Sequence, residues 1–152
     1  MESTPSPQPP QAAPQPLPPL TQSEERTWAM FAHLSILVNL VSGFLGLIAA
    51  LVIYLIYRDR SRYVAYHSLQ SLFFQLVFWA GAGALAALAW VLTGLLSVVL
   101  VGLLCIPIAL VISLIPVAAL VYGVVGAIQT SQGEDFEYWL VGDWVRPTLI
   151  EQ

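Results

Sequence analysis

The chain has 152 residues, 58% of them apolar and 9% charged, with a formal net charge of −4. Soluble chains carry roughly 25% charged residues, so these numbers exclude an ordinary water-facing globule. With no lysine and only five arginines there is no basic footprint, and nucleic acid is excluded as a partner.

Residues 1–20, "MESTPSPQPPQAAPQPLPPL", hold eight of the eleven prolines. Proline removes backbone donors, and this stretch has little to bury. Residues 1–22 are therefore expected to form a disordered Pro/Gln-rich tail of polyproline II character. They lack the basic and apolar regions of a signal peptide. A helical membrane domain is predicted over residues 23–146.

Its first segment, 24–41, begins where Thr21 or Ser23 can cap and where Glu24 and Glu25 suit the positive end of a helix. Read as one helix, residues 28–57 would run about 45 Å at ~1.5 Å per residue. That exceeds a ~30 Å bilayer core unless the helix tilts strongly. "SGF" at residues 42–44 breaks the run, so a second segment, 44–58, is expected to fold back as a hairpin.

Arg58, Asp59, Arg60 and Arg62 form a charged turn. Three of the five arginines fall there, and the positive-inside rule places such a turn in the cytoplasm. With a hairpin before it and an out-and-back pair after it, both termini fall on the cytoplasmic side of the inner (plasma) membrane.

The third segment is predicted over 62–92, with Gly81, Gly83, Ala84 and Ala87 permitting close helix approach. "TGLL" at 93–96 reads as a turn. The fourth segment, 95–130, carries Pro107 and Pro116 and is expected to kink or divide. Cys105 has no partner for a disulfide and reads as a small apolar side chain. Residues 131–152 form an acidic, aromatic tail in which Tyr138, Trp139 and Trp144 are expected at the membrane interface. The fold class is thus an all-α integral membrane protein, a small bundle of about four helical segments.

His67, Ser71 and Gln75 recur at helical spacing, with Gln70 beside them. On the first segment Ser35 and Asn39 are similarly placed, with His33 nearby. Polar groups in lipid must find partners, so both stripes should face inward. They either bond across helices, at about 1 kcal/mol per contact, or line a polar cavity open to the cytoplasm.

No catalytic residues are expected. There is no G-x-S-x-G, and the apolar runs contain no carboxylate or basic side chain. No metal or cofactor is expected either, since two histidines and one cysteine fall short of a zinc set. A haem held between His33 and His67 is the one arrangement the imidazoles would suit.

The stretches "RTWAMFAHLSILVNL", "GLIAALVIYLIYRDRSRYVAYHSLQSLFFQ" and "GAIQTSQGEDFEYWLVGDWV" resemble a widespread bacterial multipass membrane family of unknown function. That family is grouped as similar to the twenty-kilodalton subunit of the chloroplast inner-envelope protein translocon. The resemblance covers about residues 25–146. It rests on Ala32-His33-Leu34-Ser35, the apolar span ending in the charged turn, His67 with Gln70 and Gln75, and Gly133-Glu134-Asp135-Phe136. It implies a four-helix membrane bundle with both ends on the cytoplasm-equivalent side and, through the plastid relative, a part in translocation.

The expected function is a non-enzymatic subunit or scaffold of a membrane complex. The expected partners are the lipid bilayer and either a membrane protein or a second copy. A channel-like component built on the polar stripes is the alternative, and a haem-ligating redox subunit the second.

Overall fold

In the computed structural model the described residues are 18–150, so residues 1–17 of the predicted proline-rich tail lie outside them. Every regular element among the described residues is helical. Helix α1 spans Gln22–Leu34 and starts on a capping box. The Thr21 hydroxyl accepts from the Glu24 amide while the Glu24 carboxylate accepts from the Thr21 amide. These bonds hold the Glu24 carboxyl below its ordinary range.

The chain then tightens into a 3-10 turn, Ser35–Val38, and relaxes into one turn of α-helix, α2, Asn39–Ser42. It reverses at Gly43, whose φ of 81° suits a residue without a Cβ. Helix α3, Leu45–Tyr57, returns antiparallel, so Trp28 in the middle of α1 packs on Tyr57 at the end of α3, 4.8 Å between rings. The reversal falls at the "SGF" break.

The hairpin closes on Gly46. Its N–H donates to Asn39 Oδ1 at 2.8 Å, and an added Cβ would overlap the Ser35 carbonyl oxygen. Leu45 is capped by Ser42, whose hydroxyl accepts from the Leu45 amide.

Arg58–Ser61 is the charged turn, and the Ser61 hydroxyl caps helix α4, Arg62–Phe74. Without a break the chain widens into a π-helical segment, Gln75–Gly81, and continues as α5, Ala82–Ser97. The whole run, Arg62–Ser97, has 36 residues, or roughly 54 Å at ~1.5 Å per residue.

The expected turn at residues 93–96 is helix instead. Thr93 bonds back to Ala89 and Ser97 to Thr93, and these hydroxyls keep the last turn of α5 intact. The turn falls at 98–101, where Leu100 has a positive φ. Gly102 then crosses so close to Thr93 and Ser97 that a Cβ there would overlap both.

Helix α6, Gly102–Gln132, is a single helix of 31 residues that contains Pro107 and Pro116. Gly133 ends it in the left-handed region. An irregular stretch over 134–138, in which the Phe136 N–H donates to the Glu134 carbonyl, leads to helix α7, Gly142–Ile150, which packs on α4.

Arg62–Ser97 and Gly102–Gln132 are long and apolar enough to cross a membrane, whereas α3 is apolar but shorter. The first hairpin covers only the lower part of the α4–α5 run. Its reversal meets that run at the π segment, where Trp79 Nε1 donates to the Gly43 carbonyl at 2.7 Å. Beyond that level α5 and the first half of α6 continue as a pair.

The tail is not an appendage. Phe136, Tyr138, Val141 and Val145 sit in one core cluster with Ile36, Tyr66 and Phe74. Tyr138 is 1% exposed, which corrects its placement at an outer interface, while Trp139 is 80% exposed. Phe136 and Tyr138 turn inward and Trp139 outward.

Two glycines separate packing from propensity. Gly46→Ala should lower the thermal unfolding midpoint in detergent, by about 1–3 kcal/mol of overpacking. Gly94→Ala, with nothing within 4 Å of an added Cβ, should leave it unchanged or raise it. Equal midpoints for Gly46→Ala and the parent chain would refute the hairpin contact.

Candidate functional site

The polar side chains singled out by spacing come together at the centre of the four-helix end. His33, Ser35, Asn39, His67, Gln70, Ser71 and Gln75 are all buried. α1 supplies His33, the 3-10 turn Ser35, α2 Asn39, α4 His67, Gln70 and Ser71, and the first π residue is Gln75. Sequence spacing alone could not show that they bond to one another.

Gln75 is the hub of one group. Its Nε2 donates to the hydroxyls of Ser35 and Ser71, and its Oε1 accepts from Asn39 Nδ2 at 2.9 Å. Asn39 Oδ1 accepts the Gly46 N–H, which brings α3 into the same set. The Ser35 and Ser71 hydroxyls both donate to the Ala32 carbonyl at 2.7 Å.

That carbonyl can take both because the ladder changes pitch there. The 3-10 turn begins at Ser35, and the Ser35 N–H bonds to Phe31 and His33. The Ala32 oxygen thus faces α4 with lone pairs to offer. The π segment starts at Gln75 itself, and π segments recur at functional positions.

The second group is aromatic. Tyr138 OH lies 3.0 Å from His33 Nδ1, and His33 Nε2 lies 3.2 Å from His67 Nδ1. Tyr63 and Tyr66 pack edge-on to the His67 ring, and Phe74 stacks on Tyr138 with ring centroids 3.8 Å apart. Burial pushes the Tyr138 phenol well above its ordinary range, so it stands as a neutral O–H.

The row can hold its protons in two ways. Either Tyr138 donates to His33 and His33 to His67, leaving a proton on His67 Nε2, or each donation runs in reverse and Nε2 is bare. His67 Nε2 is buried and makes no hydrogen bond among the described residues. The two imidazoles bond each other directly, which leaves no width between them for a porphyrin. No cluster of three or more metal-ligating side chains occurs among the described residues.

Gln70 joins the tail to α4. Its Oε1 accepts the Tyr138 N–H at 2.7 Å and its Nε2 donates to the Phe136 carbonyl at 3.0 Å, as a neighbouring strand would. Arg146 of α7 then reaches Asp135, Glu137 and the Tyr66 ring.

Tyr138 is the member that sequence reasoning missed. Its signal was the apolar pair Phe136 and Tyr138 interleaved with the acidic residues Asp135 and Glu137, in a stretch without helical spacing. The charged turn lies apart from this site. Arg58 pairs with Asp59 on the surface, and Arg60 bonds to the Pro18 carbonyl. Arg62 opens α4.

The profile of the magnetosome magnetite crystal formation protein family matches residues 24–145. The chain belongs to that family. The match runs from the first turn of α1 into α7 and takes in every residue of the buried network. Comparisons with curated proteins and with solved structures return no match. The likeness to a translocon subunit finds no support in any of the comparisons.

The network sets two expected outcomes. Gln75→Leu strands the Asn39 amide and should destabilise the bundle by about 1–3 kcal/mol, read as a lower unfolding midpoint in detergent. Tyr138→Phe keeps the stacked ring and removes one hydroxyl. It should cost about 1 kcal/mol and shift the His33 side-chain resonances in an NMR spectrum. An unmoved His33 signal would break the proposed row.

Proposed function

We propose that the chain is a non-enzymatic multipass membrane protein, serving as a subunit or scaffold of a membrane complex for magnetite crystal formation. One observation carries the membrane part of this reading: the molecule is polar inside and apolar outside. Gln70 and Gln75 are 0% exposed, while Val98 is 86% and Leu104 79% exposed. In water this arrangement forfeits the hydrophobic effect twice over. In lipid it is favoured, because the buried amides and most of the other buried polar groups are hydrogen-bonded and the outer surface meets acyl chains.

The family supplies the system in which such a subunit would act. The buried stripe supports a tie between helices over an open path, since its side chains, His67 Nε2 apart, are spent on bonds within the bundle. Residues 18–26, 58–63 and 130–147 lie at one end of the bundle. Ser61 donates to Glu25, and the Tyr63 hydroxyl donates to the Thr130 and Glu134 carbonyls. That end carries the arginines and faces the cytoplasm by the positive-inside rule. Translocation by analogy with the plastid subunit adds nothing to this reading.

Affinity isolation in mild detergent tests it. The chain should come out of the membrane fraction with defined companions or as a multimer. Recovery alone at monomer mass would count against a subunit role. A reporter fused to the N-terminus should read as cytoplasmic, and an external reading would overturn the hairpin topology.

A further inference from the structure

Arginines gather at the cytoplasm-facing end, and all but one have a partner. Arg58 pairs with Asp59, Arg60 with the Pro18 carbonyl, and Arg146 with Asp135 and Glu137, while Arg62 is also engaged. Arg26 alone makes no hydrogen bond and no ion pair among the described residues. Its guanidinium is placed by shape. It lies against Gly133, where an added Cβ would come within 2.5 Å of the guanidinium carbon.

Two of the nearby carboxylates already accept other donors. Glu24 caps Thr21, and Glu25 accepts from the Ser61 hydroxyl at 2.6 Å.

Arg26 borders two hollows, a small one with Gln22, Glu25, Tyr63 and Gly133, and a larger one of about 290 Å³ with Gln22, Ser23, Thr27, Met30 and Ser131. Five of the six residues lining the larger hollow are polar, and Met30 is apolar. Gln22, Ser23 and Ser131 stand at the end of the bundle, Met30 lies two turns of α1 further in, and Phe31 beside it is exposed. Thr27 and Ser131 spend their hydroxyl protons on carbonyls of their own helices, so the free donors are Arg26, Gln22 and Ser23. A planar guanidinium with two further donors suits a phosphodiester, which it can grip through two oxygens. Polar above and apolar below is also the profile of a phospholipid at the headgroup level.

We propose that this hollow seats the phosphate of an anionic phospholipid, with Arg26 as its principal ligand and the acyl chains running down past Met30 and Phe31. An anionic lipid fits better than a zwitterionic one, whose phosphate already has its own ammonium as counter-ion. The inference rests on the membrane placement proposed above.

The test uses the full chain in nanodiscs of mixed phosphatidylcholine and phosphatidylglycerol, released for native mass spectrometry. The parent chain should retain phosphatidylglycerol preferentially. Arg26→Gln should weaken that retention by about tenfold, the loss of one charge-assisted contact. Arg26→Lys should fall between. Because Arg26 bonds nothing in the bundle, the Gln variant should keep the parent's helical circular dichroism and unfolding midpoint.

Equal retention of phosphatidylglycerol by parent and Arg26→Gln chains would overturn the site, and so would equal retention of the two lipids. An inorganic phosphate adduct without retained lipid would make it a free-anion site and overturn the lipid assignment. A chain that never enters the nanodisc would overturn the membrane reading along with it. A chain that enters but ignores Arg26→Gln sinks this inference alone.

Discussion

One side-chain amide ties the first hairpin to the rest of the bundle. Gln75 reaches Asn39, Ser35 and Ser71 at once, and Asn39 passes the connection on to the backbone of α3 at Gly46. An amide has two donors and an acceptor with two lone pairs, so one Gln can serve several neighbours where a Leu could only pack. An apolar outer surface contributes nothing that holds helices together in lipid. The cohesion must come from close packing and from such bonds, which is why the small and polar residues lie inside. The tail is docked by the same logic: Gln70 gives the backbone at Phe136 and Tyr138 the pair of bonds that a neighbouring strand would have provided.

Two departures from α-helical pitch make these bonds available. The 3-10 turn after Leu34 lets the Ala32 carbonyl accept two side-chain hydroxyls. The π segment after Phe74 widens the facing helix where Gln75 has to reach across. Neither has a sequence signature of proline or paired glycine. Both are set by what faces them, so they arise from tertiary contact rather than from local propensity.

The stripe His67, Gln70, Ser71, Gln75 could be read from spacing because an α-helix maps i and i+4 onto one face, and the break at "SGF" because glycine marks a reversal. Other features were hidden for identifiable reasons. Thr93-Gly94 imitates a turn, yet a threonine that bonds back to its own helix stays helical. Tyr138 lies in an irregular segment beside tryptophans that face outward, so its inward direction shows only once that segment is docked on Gln70. Gly46 reads as one more small residue in an apolar run, and its close contact with Ser35 and Asn39 depends on the hairpin being closed. Pattern could place polar residues on one side of a helix; it could not say which backbone groups would meet them.

The mismatch in length between the first hairpin and the α4–α5 run has a mechanical side. Four helical columns stand side by side at the arginine-bearing end, and only α5 and the first half of α6 reach the other. Set in a bilayer, such a body takes up roughly twice the area in one leaflet that it takes in the opposite one. It is a taper, wide at the arginine-bearing end. Many copies gathered in one patch would load the two leaflets unequally, and the sheet would relieve that load by bending away from the crowded side.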